Sequence, residues 1–300
     1  MFFQQLMNGL TLGSVYAVIA LGYTMVYGIL ELINFAHGEV YMLGAYLGII
    51  FLGLFTAAGL TAVNLPLALL LTVILSVLVC AAYGYTIERI AYRPLRHAPR
   101  LSPFISAIGV SIFLQNYVML TQGATDMAFP YHFSDARIAF GGIEITYLQA
   151  IILGVCSGLM IGLHLLISRT RVGKAMRATA QDRVMASLVG INVNGIIALT
   201  FIIGAALAAI AGVMVGAYYG LVNYFIGYIA GIKAFTAAVL GGIGSIRGAM
   251  LGGIVLGLVE SIGSAYISSE YKDAFAFLIL IIILMVRPTG IFGRQVVEKV

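Results

Sequence analysis

Charge is what this 300-residue chain has least of: 9% of its residues are Asp, Glu, Lys or Arg, against 62% apolar. A water-soluble domain carries roughly 25% charged residues. No hydrated surface can be assembled from this composition, which excludes a soluble enzyme, a nucleic-acid binder and a disulfide-framed secreted module. Cysteine is scarce as well. Cys80 and Cys156 are the two present, both inside apolar runs, where a thiol is an ordinary small hydrophobe and a disulfide is not expected. The phosphate-cradling string GxxxxGK[ST] is missing; RVGKA at 171–175 lacks both the upstream Gly and the Ser or Thr. The chain is therefore not expected to hydrolyse ATP or to need a cofactor. A buried succession of Asp, Glu and His of the kind that relays protons through secondary carriers is not evident either. An energised partner is the simpler reading.

What is there is a set of long apolar runs with a mean hydropathy of +1.07. Runs rather than alternation mean an all-α polytopic membrane bundle, not a barrel. The sixteen Lys and Arg exceed the eleven Asp and Glu by five, but their placement says more than their number. Residues 1–88 contain none. Arg89, Arg93, Arg96 and Arg100 then crowd one loop, and Arg169, Arg171, Lys174, Arg177 and Arg183 crowd another. This is the positive-inside bias, so both loops are placed in the cytoplasm together with the tail that carries Arg287, Arg294 and Lys299. The loop 121–147, with Asp126, Asp135 and Glu144 against Arg137, falls outside. So does the amino terminus. No basic segment precedes the first apolar stretch, so a cleavable signal peptide is not expected and Met1 is expected to begin the mature protein.

A helix needs about 20 residues to cross ~30 Å of hydrocarbon. Spans are expected near 6–28, 41–58, 67–87, 102–120, 148–167, 196–219 and 274–287. For the carboxyl terminus to lie inside, residues 220–273 must go in and return. They hold two short apolar pieces, 229–240 and 249–259, separated by GGIGSIRG. A Gly-rich interrupted helix or hairpin satisfies length and parity, giving about eight spans within a single transmembrane domain, 1–300. Many of the 36 glycines fall inside helices and are expected to serve close helix packing, as at Gly252, Gly253 and Gly257. Irregular backbone at membrane depth is tolerated only beside protein or a watery cavity, which makes Gly241, Gly242 and Gly244 candidates for lining a path.

Polar groups in apolar surroundings need a reason. Glu31, Asn34, His37 and Glu39 sit between the first two spans. They face the mouth of a solute path or merely cap helices, with Asn34 a candidate N-cap. His37 and Glu39 do not make a metal site, lying on opposite helix faces with no further ligand. Lys233 and Arg247 are the cations between Arg183 and Lys272; either can meet Glu260 or a helix carboxyl end inside the bundle, and Lys233 is also a candidate for lining the solute path. His164 reads as a structural histidine near the inner boundary.

The segment 168–190 differs in kind. Val172, Met176, Ala180, Val184 and Leu188 repeat at i, i+4, while Lys174, Arg177, Gln181 and Asp182 take other faces. Ser168 can cap the start and Gly190 the end. This predicts a short amphipathic helix on the inner face, which either lies on anionic lipid or inserts as a knob into a groove on a cytoplasmic partner.

Four long stretches, in order, carry a resemblance: NGLTLGSVYAVIALGYTMVYGILELINFAHGEVYMLGAY, SRTRVGKAMRATAQDRVMASLVGINVN, KAFTAAVLGGIGSIRGAMLGGIVLG and RPTGIFG. Together they closely resemble the permease subunits of bacterial ABC importers for branched-chain amino acids, of the LivH type. The resemblance implies a multi-pass protein of the bacterial inner membrane that works with a second, homologous permease, two ATPase subunits and a periplasmic binding protein. It maps the family's coupling segment onto Arg169, Arg171, Val172, Gly173, Lys174, Met176, Arg177, Asp182 and Gly190. It also maps the Gly-rich stretch onto Gly241–Gly248. A permease of the same fold for urea, an amide or a sugar, and a channel or secondary carrier acting alone, are the alternatives to separate from it.

Overall fold

The computed structural model describes residues 2–96, 98, 99, 101–131, 137–140 and 143–293; Arg100, Asp135, Arg294 and Lys299 lie outside the described residues. Among the described residues, seven helices are long and apolar enough to cross a membrane: α1 (Phe2–Leu30), α2 (Ala36–Ala57), α4 (Leu65–Ile87), α5 (Leu101–Gln122), α6 (Tyr147–Arg169), α9 (Val193–Tyr219) and α11 (Ile246–Tyr266). Shorter helices are α3 (Leu60–Val63), α7 (Arg171–Gln181), α8 (Arg183–Leu188), α10 (Ile226–Gly241) and α12 (Lys272–Val286). Among the described residues, strands form two antiparallel pairs, β1 (Met127–Ala128) with β4 (Leu221–Val222) and β2 (Arg137–Phe140) with β3 (Ile143–Thr146).

Helix α1 is the axis of the bundle. It is apolar on every side, and Ala17 through Leu21 have no exposed surface at all, as expected of a helix enclosed by others. Helix α11 runs antiparallel along it through facing small-residue motifs, Gly9-xxx-Gly13 and Gly253-xxx-Gly257. A Cβ on Gly13 would lie 2.8 Å from the Ile254 Cα, and one on Gly257 or Gly253 would enter the Gly13 or Ala17 backbone. In lipid there is no hydrophobic force between helices, so such close contact supplies the attraction. The same device joins α2 to α9, where a Cβ on Gly44 would lie 2.6 Å from the Ala209 Cα. Gly252 is likewise closed off by the Ala237 carbonyl of α10.

The sequence and the fold differ at four places. The piece read as 249–259 is the 21-residue α11, about 32 Å long and able to cross; its interior glycines pack instead of breaking it. The interruption is a tight turn at Gly242 and Gly244, with φ of 102° and 88°, and Ser245 caps α11 by accepting from the Gly248 N–H at 3.2 Å. The segment 168–190 is two helices, because Asp182 (φ −158°, ψ 113°) leaves helical geometry and caps α8 through the N–H groups of Val184 and Met185. Ser168 belongs to α6 and the cap of α7 is Thr170, which accepts from the Gly173 N–H at 3.0 Å. Asn34 does not cap α2: the preceding residue there is Phe35, and no side chain caps it. Finally, the Arg-rich stretch from 89 continues α4 as one wide turn (Glu88–Tyr92) and one tight turn (Arg93–Leu95).

Two ends of the bundle emerge from these contacts. At one, Gln4 of α1 bonds to the main chain of Glu144 at 2.8 and 2.9 Å, and Gln149 at the start of α6 donates to Asn8 at 3.0 Å. At the other, the end of α1 meets α7, α8 and the α10–α11 turn. The stretch RPTGIFG folds back there, the N–H groups of Ile291 and Phe292 each reaching the last carbonyls of α10, Leu240 and Gly241, at 2.9 Å. Those carbonyls are the ones a helix end leaves without partners.

Candidate functional site

The α7–α8 face is built by clamps on one side and left bare on the other. Gly173 sits where a Cβ would run into the carbonyls of Leu166 and Ile167. Met176 is 3% exposed, buried against the bundle. Arg177 donates to the Ile167 carbonyl at the end of α6, and Arg183 donates to the Ile29 carbonyl at the end of α1 at 2.8 Å. Both are cations at helix carboxyl ends, where the dipole favours them. Arg96 completes the frame: it pairs with the buried Glu88 and donates to Asn194 of α9 at 2.6 Å. Burial lowers the Arg96 guanidinium from its ordinary value, and Glu88 opposes that shift.

The outer side of the pair is apolar and uncovered. Val184, Met185, Leu188 and Val189 are 69, 61, 74 and 75% exposed, and Val172 joins them at 37%. Arg169, Arg171 and Lys174 are exposed alongside. Gly190, with φ of 86°, turns the chain back toward α9. Most of the predicted stripe thus faces away from the bundle: Met176 anchors it, while Val172, Ala180, Val184 and Leu188 are exposed.

Of the other sequence-predicted residues, Asn34, His37, Glu39, Lys233, Gly241 and Gly242 are buried but not together, and Gly244 is exposed. Asn34, 5% exposed, accepts from the Tyr92 hydroxyl at 3.0 Å. His37 fills the crossing of α1, α2 and α9: its Nε2 lies 3.2 Å from the Ile19 carbonyl, its ring meets Tyr23 edge-on with centroids 4.8 Å apart, and Gly22 leaves the space it occupies. Glu39 accepts from Ser111 of α5 at 3.0 Å through Oε1, and its Oε2 faces Gly227 of α10. Lys233 pairs with Glu260 at 2.7 Å, the partner expected from the sequence. Gly241, Gly242 and Gly244 form the turn at the α7 end of the bundle. There Gly244 and Ile246 share a crevice with Thr24, Gly28, Met176 and Arg177. Among the described residues, no three of His, Cys, Asp and Glu gather as metal ligands.

Residues the sequence reading passed over are Tyr16, Glu88, Tyr92, Ser111 and Asp273. A charged residue at the end of a span, as Glu88 is, was the available signal. Replacing Tyr92 with Phe is expected to cost about 1–3 kcal/mol by leaving the buried Asn34 oxygen unpaired. Thermal unfolding of the purified protein checks this, and an unchanged midpoint would contradict it.

Comparison with known proteins places these features in a family. Residues 5–284 match the family model described as branched-chain amino acid transport system / permease component. The chain is 56% identical, over its whole length and 98% of the relative, to the high-affinity branched-chain amino acid transport system permease protein BraD of Pseudomonas aeruginosa. It is 53% identical over the same shares to LivH of Escherichia coli, which carries the same description. With 27% identity, over 92% of this chain, it also matches a probable LivH of Methanocaldococcus jannaschii. This chain is a multi-pass membrane protein that belongs to the branched-chain amino acid transport system permease family.

Proposed function

We propose that the protein is the membrane permease subunit of an ATP-driven importer that carries leucine, isoleucine and valine across the bacterial inner membrane. The observation that carries this reading is the end-to-end likeness, at 53–56% identity, to permeases of high-affinity branched-chain amino acid transport systems. In this reading a second, homologous permease completes the pore, two ATPase subunits dock beneath, and a periplasmic binding protein delivers the solute. The amino terminus lies outside and the carboxyl terminus inside. Counting α10, α11 and α12 as separate passes then makes nine membrane segments.

The α7–α8 pair is the coupling element. Its bare apolar side, Val184, Met185, Leu188 and Val189, enters a groove on the ATPase, and Arg169, Arg171 and Lys174 meet acidic groups at its rim. Force applied there passes into α6 through Arg177 and into α1 through Arg183. The Gly242–Gly244 turn absorbs backbone rotation as the path opens to one side and then the other. Asn34, His37 and Glu39 hold α1, α2 and α5 together, and Lys233 opens onto a cavity.

Uptake of labelled leucine by cells lacking their own system and supplied with this permease and its partner subunits tests the substrate. Unlabelled isoleucine and valine are expected to suppress uptake, and urea, an amide and a sugar are expected to leave it unchanged. Suppression by one of the latter, with none by isoleucine or valine, would assign the protein to a different solute.

A further inference from the structure

A cavity of about 160 Å³ lies between α1, α2, α9, α10, α11 and the start of α12, toward the end of the bundle that holds the α1 amino terminus. Its two halves differ in chemistry. At the polar end, Lys233 and Glu260, each 3% exposed, make an ion pair at 2.7 Å. Tyr16 donates to the second Glu260 oxygen at 3.0 Å, and Asp273 of α12 stands 2.6 Å from the Lys233 ammonium. The apolar end is made by Val215, Ile226 and Ala230 with the rings of Tyr41 and Tyr219. Lys272 sits at the rim, exposed.

An ion pair at membrane depth is a poor way to hold helices together. Desolvating it costs as much as the attraction returns, and well-packed apolar residues do as well or better. Ionisable groups inside membrane segments more often mark a solute pathway. Here the pair is not saturated. An ammonium has three N–H donors, of which Glu260 takes one while Asp273 stands beside it as an ion-pair partner without a hydrogen bond, and each Glu260 oxygen keeps a free lone pair. Both groups face an open space walled on the far side by aliphatic and aromatic carbon. The cavity is well below the roughly 300–1,000 Å³ of drug-sized pockets, which limits the occupant to a small molecule.

We propose that this cavity is a way-station for the transported solute, binding a free α-amino acid as its zwitterion. The solute's carboxylate takes a free Lys233 N–H and its ammonium takes the free lone pairs of Glu260, so that the two dipoles lie head to tail. Asp273 keeps Lys233 in place, and Tyr16 fixes the Glu260 carboxylate. A branched aliphatic side chain fills the Val215, Ile226 and Ala230 end. A neutral zwitterion pairs both charges; a molecule with one of them leaves a buried charge unmatched. The assignment rests on the transport reading above.

The test is ATP-driven leucine uptake by proteoliposomes holding the complete importer, comparing wild type with the double variant Lys233→Met, Glu260→Met. Replacing both charges with apolar side chains preserves packing, so assembly is expected to hold while leucine uptake falls at least tenfold. Tyr16→Phe is expected to lower it severalfold. Ile229, 41% exposed at the cavity wall, supplies a variant that leaves the ion pair alone: Ile229→Trp is expected to obstruct the mouth and slow uptake severalfold. Undiminished uptake by the double variant overturns the way-station and leaves the importer standing. If the double variant does not assemble, undiminished uptake by Ile229→Trp overturns it in the same way. A wild-type complex that takes up no leucine overturns both.

Discussion

Changing Val184 and Leu188 together to Glu is expected to abolish leucine uptake and transport-stimulated ATP hydrolysis, while the permease still reaches the membrane and survives purification. The two side chains are 69 and 74% exposed, and substitutions at such positions usually move stability by no more than about 0.5 kcal/mol. Their effect must therefore fall on whatever covers them. An apolar anchor at the centre of an interface costs about 2 kcal/mol or more when lost, and two buried carboxylates cost further. Together they correspond to more than a hundredfold loss of affinity. Co-purification of the ATPase subunits with wild-type and variant permease reads the affinity directly. Normal co-purification and normal uptake would leave α7–α8 as a helix pair that merely rests on lipid.

Changing Gly257 to Leu is expected to eliminate folded protein. A Cβ there already enters the Gly13 backbone, and neither partner is a flexible side chain that can turn aside. Overpacking costs about 1–3 kcal/mol where a core can adjust. Here α1 and α11 must separate along the Gly9-xxx-Gly13 and Gly253-xxx-Gly257 seam, losing close contact over several turns. Gly53 of α2 is the matched control. Nothing lies within 4 Å of a Cβ placed there, so Gly53→Ala is expected to be neutral or slightly stabilising, since Ala is the better helix former. Yield and monodispersity in detergent distinguish the two. A well-folded Gly257→Leu protein would mean that the seam is not the source of α1–α11 association.

What could be read from the sequence follows from how each feature is encoded. The bundle itself was legible because hydropathy is summed over twenty residues, and the Lys233–Glu260 pair because buried charges must find each other. Helix α11 was underread for a physical reason: glycine counts against a helix in water, whereas here Gly248, Gly252, Gly253 and Gly257 are where other backbones approach. The break at Asp182 was hidden because the i, i+4 stripe runs straight through it, and an Asp that caps a new helix looks the same as one on a polar face. The residues proposed for coupling divide in a way periodicity could not foresee. Met176 and Arg177 secure the pair to the bundle, so charge changes there disturb the fold as well as any docking; Val184 and Leu188 are free of that duty. Asn34 and His37 belong to helix packing for the same kind of reason. Tyr92 lies 58 residues away from Asn34 in sequence, and no local pattern joins them.

The most direct measurement of the central claim is uptake of labelled leucine by proteoliposomes holding this permease with its second permease and ATPase subunits, with and without ATP, alongside liposomes holding this chain alone. The account predicts uptake that requires ATP, the binding protein and every subunit, and none by the chain alone. Leucine entry through this chain alone without ATP would contradict it and make the protein a self-sufficient channel or carrier.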